Sequence, residues 1–428
     1  ISANGKIVKG SKVSLDIEPQ ASKELSIPVS GLKAKPGTEY FVNFVVTTTQ
    51  PEPLIPAGHD IAYEQFRLPI EPLPREAFVT NGPALKTETE GENLIVNSSK
   101  VNFVFDKATG LVTSYKVNGT EYFKDGFGIQ PNFWRAPNDN DYGNGAPKRL
   151  QIWKQSSKNF KVADASIVMD NKVAVLTANY LLAAGNLYIV TYKIYPSGVV
   201  KVDARFTSAD MQVAESEVSE ATRTATFTPG NDAARKAAAK LNVPRIGVRF
   251  RLPAEMNVVE YFGRGPEENY IDRNAGTLIG LYKTTADKMY YNYVRPQENG
   301  HHTDTRWLSL SKKGGKRLTI VADSIIGFNA LRNSIEDFDS EEALPHPRQW
   351  NNFSPEEIAN HDEEAARNVL RRMHHVNDIT PRDFVEVCVD MKQQGVAGYN
   401  SWGARPEPGY TIPANQEYNW GFTLIPDK

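Results

Sequence analysis

Leu187-Tyr188-Ile189-Val190-Thr191-Tyr192-Lys193-Ile194-Tyr195-Pro196-Ser197-Gly198-Val199-Val200-Lys201-Val202-Asp203-Ala204-Arg205-Phe206 is the stretch that decides the fold. Tyr188, Val190, Tyr192 and Ile194 fall on one side of an extended chain. After a Pro-Ser-Gly turn, Val200, Val202, Ala204 and Phe206 repeat the pattern. Alternation with period two marks half-buried antiparallel strands. The pattern spreads in both directions. Val101, Phe103 and Phe105 alternate and end in the turn at 106–110; residues 111–117 follow and close on Asn118-Gly119, a strong hairpin signal. Residues 247–252, 384–390 and 420–425 are further strands. Strands dominate residues 94–428, so the reading is all-β: one large antiparallel sandwich rather than several small ones.

The beginning of the chain differs. Residues 1–75 read as part of an immunoglobulin-like β-sandwich: Val13, Leu15 and Ile17 alternate, and strands follow near 40–46 and at 62–68, with turns at 36–37 and 56–58. About four strands are countable, where such a sandwich takes about seven. The chain opens at Ile1 in mid-pattern, which predicts a piece of a longer protein. A polar connection over 76–93 reads as a linker, and 209–240, rich in Ala, Glu, Thr and Arg, as an insertion between strands. Ser354-Pro355-Glu356-Glu357 is the one good helix start, with a Ser cap and Pro in the first turn.

Charge narrows the function classes. Among 428 residues, 49 Lys+Arg face 51 Asp+Glu, for a net charge of −2. This gives no electrostatic case for a nucleic-acid or anionic-membrane partner. No apolar run is long enough for a spanning helix. The single cysteine, Cys388, excludes an intrachain disulfide and a cysteine-based metal site. His301-His302 is an adjacent pair with no third ligand at helical spacing, so no metal site and no cofactor is assigned to this chain.

Four loops carry chemistry. The first is Pro131-Asn132-Phe133-Trp134-Arg135-Ala136-Pro137-Asn138-Asp139-Asn140-Asp141-Tyr142-Gly143. The second runs from Tyr261 through Gly263-Arg264-Gly265-Pro266-Glu267-Glu268-Asn269-Tyr270 to Asp272-Arg273. The third runs from Tyr293-Val294-Arg295-Pro296-Gln297-Glu298-Asn299-Gly300 to Thr303-Asp304 and Arg306-Trp307. The fourth is Gly395-Val396-Ala397-Gly398-Tyr399-Asn400-Ser401-Trp402-Gly403. Each alone reads first as backbone-satisfying Asx turns, buried ion pairs or packing. Together they suit a pyranose, which takes an aromatic ring under its C–H face and Asn, Asp and Arg around its hydroxyls. Trp402 beside Asn400 and Ser401 offers such a platform; Trp134 beside Arg135 and Asn138 offers a second. Glycoside hydrolysis needs two opposed carboxylates. Glu267/Glu268 would point to opposite faces of a strand, and Asp139/Asp141 sit in a loop of acceptors, so no catalytic pair is assigned here.

In this order the four loops resemble the C-terminal region of glycoside hydrolase family 2 β-galactosidases, the large multidomain type. The motifs concerned are Arg135-Ala136-Pro137-Asn138-Asp139-Asn140-Asp141, the Gly-Arg-Gly-Pro stretch at 263–266 continuing to Arg273, Arg295 to Gly300, and Gly395 to Gly403. The resemblance spans residues 85–428, with 1–75 matching the tail of the preceding domain. It implies a supersandwich similar to galactose mutarotases and a retaining hydrolase of terminal β-D-galactosides. It also implies that the catalytic Glu pair, and the Mg and Na of the full enzyme, belong to a barrel domain absent from this chain. The chain would then supply Trp402, with Asn400 and Ser401, as a sugar platform and residues 135–141 as a mobile loop beside the site. Arg264, Glu268, Asp272, Arg295 and Glu298 would form ion pairs and backbone bonds that hold the loops. The implied partners are a β-galactoside, the upstream barrel and sandwich domains, and further copies in a homo-oligomer. Two other readings fit the residues: a stand-alone carbohydrate-binding or mutarotase-like protein, with Glu298 and His302 as acid and base, and a structural assembly module.

Overall fold

Residues 187–206 form the hairpin that their alternation predicts, with Tyr188 opposite Phe206 and Tyr192 opposite Val202. The computed structural model describes residues 1–208, 242–339, 375–400 and 402–427. The 209–240 insertion, the helix start at Ser354 and Ser401 lie outside the described residues. The chain divides into two units, residues 1–78 with 278–281, and residues 79–277 with 282–428.

In the first unit, β1 (Ser2–Ala3), β2 (Lys6–Ile7), β3 (Tyr40–Thr47) and β4 (Asp60–Arg67) form an antiparallel sheet in the order β2-β1-β3-β4. The strand expected at Val13, Leu15 and Ile17 is not formed. Those residues carry no regular secondary structure, and Val13 is 61% exposed. Alternation expresses itself as a strand only where a neighbour accepts the backbone hydrogen bonds.

In the second unit, five strands make one sheet in sequence order: β5 (Lys86–Glu90), β6 (Asn93–Asn97), β7 (Val101–Asp106), β8 (Leu111–Val117) and β9 (Thr120–Glu121). Strand β5 and the start of β6 correct the linker reading over 86–93. The Lys-Thr-Glu-Thr-Glu sequence of β5 lies at the sheet's edge, where charged side chains stay in water. The long sheet contains β10 (Gln130–Asn132), β11 (Lys161–Asp170), β12 (Val173–Leu181), β13 (Leu187–Ile194), β14 (Val200–Thr207), β15 (Arg245–Pro253), β16 (Val258–Gly265), β17 (Leu278–Thr285), β18 (His302–Ser311), β19 (Arg317–Leu331), β20 (Phe384–Gln393) and β21 (Tyr418–Pro426). Its main path runs β10-β15-β20-β19-β21-β14-β13-β12-β11, and its pairings are antiparallel.

The core lies between these two sheets. Phe103 of β7 packs against Tyr192 of β13 with ring centroids 5.6 Å apart, and Phe105 meets Tyr180 at 6.5 Å. The inward phenol of Tyr115 donates to Gly198 O at 2.6 Å, so this buried hydroxyl keeps a partner. Each such ring, fully buried, contributes on the order of 1.5–3 kcal/mol.

Register then positions the loops. Asn132, Gly247 and Asp390 lie side by side on β10, β15 and β20. His302 pairs with Phe328, which pairs with Val389. The end of β10, the start of β15, the end of β20 and the start of β18 therefore share one end of the sheet, and three of the four motif loops attach there.

Candidate functional site

The first motif leaves β10 by burying its aromatics. Phe133 packs on Tyr188 at 5.1 Å and on Phe206 at 5.6 Å. Trp134 is 5% exposed and donates from Nε1 to Asp339 Oδ2 at 2.6 Å; Lys154 Nζ lies 2.8 Å from the same carboxylate oxygen. This corrects the reading of Trp134 as a sugar platform. A buried indole whose N–H already has a carboxylate presents no face to a ligand. Burial raises the Asp339 carboxyl pKa, against the pull of Lys154.

Beyond Ala136 and Pro137 the chain turns into helix α1 (Asp139–Gly143), which Asn138 caps. Asn138 Oδ1 accepts from Asp141 N at 2.9 Å, and Asn138 N donates to Asp141 Oδ2 at 3.1 Å, a reciprocal capping box. Asp141 also holds Arg135, 2.9 Å from its Nη1. Arg135 is 2% exposed and donates from Nη2 to Gly395 O. Asp139 points the other way, 3.1 Å from Arg295, whose guanidinium covers the Tyr142 ring at 4.1 Å.

The second and third motifs are mutually bonded. Asn269 Oδ1 accepts from Thr303 N and Oγ1, while Asn269 N donates to His301 O. Glu268 accepts from Gly300 N at 2.7 Å, from Arg273 Nη2 at 2.8 Å and from the Tyr293 hydroxyl. Burial, and then Glu268, push the Tyr293 phenol up to about 12. Arg264 sits elsewhere, 2.6 Å from Asp304 and donating to Thr277 O at 2.7 Å. Asp272 turns to the fourth motif and accepts from Val396 N at 3.0 Å and Ala397 N at 2.7 Å.

Glu298 is buried against Arg245 at 2.8 Å, and Arg245 also reaches Asp390 at 3.3 Å and Gln393. His301 stacks on Tyr270 at 5.6 Å, with Nδ1 3.7 Å from Asp390. Burial drives the His301 pKa well down, and Arg245 adds to that, so this ring stays neutral at neutral pH. Burial raises Asp390 to about 7 against the pull of Arg245, and the like charge of Glu298 adds to the rise. His302 is buried too, with Nδ1 3.0 Å from Gly300 O and Nε2 3.2 Å from Pro266 O, one of which accepts its single N–H. Glu298 and His302 are thus committed to partners inside the protein, which is the wrong setting for an exchanging acid and base. Among the described residues, no three His, Cys, Asp or Glu side chains converge in a way that could hold a metal.

These loops enclose a pocket of 260 Å³. Its lining includes Asn138, Asn140, Tyr293, Gln297, Glu298 and Asn400. A larger groove of 840 Å³ lies on the outer face of the long sheet around Asp203, Asp323 and Ile325. There Lys201 already bridges Asp203 and Asp323, and none of the four motifs reaches it. The smaller pocket is the better candidate because its lining comes from all the motif loops at once. Two residues beyond Asn400, Trp402 is 79% exposed, its N–H bonded to Asn400 Oδ1 at 2.9 Å. Gly403 N donates to Asn140 Oδ1 at 3.2 Å, and a Cβ on Gly403 would come within 2.6 Å of the Gly143 carbonyl carbon. The exposed indole is therefore tied at its base to helix α1.

The sequence reading missed Arg245, Asp390 and Gln393, which lie outside the four motifs. One signal was available: in residues 384–390, Val385, Val387 and Val389 occupy one face and Glu386, Cys388 and Asp390 the other, and both faces are buried. A charged residue at such a position requires a buried partner.

Residues 97–424 match a protein family described as "Beta galactosidase small chain", and residues 1–69 one described as "Beta-galactosidase, domain 4". A β-galactosidase of Priestia megaterium (strain DSM 319 / IMG 1521) is 28% identical over 429 residues, covering 100% of this chain and 35% of that protein. A β-galactosidase of Streptococcus thermophilus is 24% identical over 427 residues, covering 99% of this chain and 35% of that protein. The chain thus spans about a third of the length of these curated relatives. Among solved structures, a galactose mutarotase-like protein from Lactobacillus casei ATCC 334 aligns with a TM-score of 0.36 and 11% identity, over 78% of this chain and 100% of that one.

Proposed function

The chain belongs to the β-galactosidase small-chain family, and from that membership we propose that it is the non-catalytic C-terminal part of a retaining β-galactosidase. The substrates in this reading are terminal β-D-galactosides. The full protein is a family 2 glycoside hydrolase whose acid/base and nucleophile Glu residues, with any Mg or Na, sit in a barrel domain outside this chain. Its partners are that barrel, the sandwich that residues 1–75 extend, and further copies in a homo-oligomer.

Retention needs two carboxylates about 5–5.5 Å apart with one free to attack. At the pocket, Asp139 is tied to Arg295 and Glu298 to Arg245. Each carboxylate here already serves a cation, which supports giving the catalytic pair to another domain. What this chain offers is recognition. The observation that carries the reading is Trp402, a largely exposed indole based on helix α1 beside a pocket rich in Asn and Gln. A neutral polyol needs such a set: a ring under its C–H face and amides around its hydroxyls.

The test is kinetic. The isolated chain gives no turnover of a chromogenic β-galactoside, and in the full-length enzyme Trp402→Ala lowers kcat/KM about tenfold, a stacking contact of ~1.4 kcal/mol. Robust turnover by the isolated chain would remove the proposal.

A further inference from the structure

The fourth motif is held from both flanks at Gly395, Val396 and Ala397. On one flank, Arg135 donates to Gly395 O and Asn138 Nδ2 donates to Val396 O at 3.0 Å. On the other, the two oxygens of Asp272 accept the N–H groups of Val396 and Ala397 at 3.0 and 2.7 Å. Ala397 and Gly398 follow with φ of +59° and +118°, so the chain reverses directly after the clamp. Successive N–H groups beside such a reversal form a concavity suited to an anion, and here the anion is a side chain of the protein. Gly395 completes the fit: a Cβ there would fall 2.3 Å from Asp272 Oδ2. Asp272 stands on a firm base, because the second motif is bonded through Asn269 and Glu268 to Thr303 and Gly300.

We infer that Asp272 is a positioning residue: its carboxylate fixes the reversal at 395–398 and thereby sets where Trp402 presents its ring to the sugar. This rests on the reading of Trp402 as the sugar platform. A carboxylate suits the task better than its amide. Asp accepts from both N–H groups, whereas Asn in the same pose keeps one acceptor and turns an N–H donor against the other.

Two measurements on the full-length enzyme decide it. The first is a double-mutant cycle on kcat/KM with Asp272→Asn and Trp402→Ala. Asp272→Asn alone is expected to cost about tenfold, the scale of a lost hydrogen bond to a charged group. On the Trp402→Ala background it is expected to cost less than about twofold, because the ring it positions is gone. Gly395→Ala, which crowds the Asp272 carboxylate, should reproduce both values. The second measurement is amide hydrogen exchange. Asp272→Asn should speed exchange at Val396 and Ala397 and leave Asn269 and Gly300 unchanged.

Equal losses on both backgrounds, or unchanged exchange at 396–397, would overturn the assignment of Asp272. If Trp402→Ala leaves kcat/KM intact, the platform reading fails, and with it the claim that Asp272 acts on the sugar. The exchange result would then report only on the loop, so the two failures are separable.

Discussion

The floor and the rim of the pocket use the same residue types under opposite conditions. At the floor, the lining residue Glu298 is almost wholly buried together with Arg245 and Asp390 behind it, and one guanidinium serves two carboxylates and a glutamine amide. At the rim, Arg295 meets Asp139 with both side chains substantially exposed, and Trp402 stands largely in solvent. A buried ion cluster is costly to assemble and more costly to break, whereas an exposed pair contributes little and is screened by salt. The floor should therefore govern whether the fold stands, and the rim what the surface recognises.

The sharpest way to break this contrast is Arg245→Met. It leaves Glu298 and Asp390 inside the protein with their cation removed. Losing one partner of a buried pair costs roughly 3–5 kcal/mol. Urea unfolding of the variant should show a loss of that size; a loss below about 1 kcal/mol would place the floor in the same energetic class as the rim. Next in size is a pH effect. Burial raises Asp390 to about 7 against Arg245, so the folded protein holds a proton that the unfolded chain releases near its ordinary value of 3.8. Stability from this group is complete below the unfolded pKa and is lost as pH rises through the folded one. The groups facing Asp390 are Arg245 and Glu298, with His301 held neutral. Unfolding free energy should fall between about pH 4 and pH 7 by up to ~1.4 kcal/mol per pH unit from this site. Asp390→Asn should flatten that slope; an unchanged slope would mean that Asp390 is ionised throughout.

The same contrast explains what could be read without coordinates. The 187–206 hairpin was legible because one face of each strand is buried, which is what period two records. The four loops were legible as a set because their residue types suit one ligand class. Their wiring was not. Trp134 and Trp402 share one local feature in sequence, an Asn two residues earlier in a polar loop. What separates them is Asp339, 205 residues from Trp134 along the chain, which accepts the buried indole N–H. Arg245 opens a buried strand, and nothing local ties it to Glu298, 53 residues on, or to Asp390. Pairings of this kind are set by strand order, which alternation does not encode. Residues 13–17 show the reverse error: the pattern is present and the neighbouring strand that would use it is not among the described residues.

The smallest expected effect tests the rim most directly. Hydrophobic stabilisation counts area removed from water, and the Trp402 indole leaves most of its area in water, so its truncation removes little that folding had gained. Its backbone N–H bond to Asn400 and the neighbouring bond from Gly403 to Asn140 do not involve the ring and survive in alanine. Trp402→Ala should therefore change the unfolding free energy by no more than about 0.5 kcal/mol, as for other exposed substitutions. A ring whose removal costs the fold so little, yet costs the enzyme about tenfold in kcat/KM, acts chiefly on something outside the fold. If Trp402→Ala instead destabilised the chain by more than about 1 kcal/mol, the ring would be a packing residue. The rim would then belong with the floor.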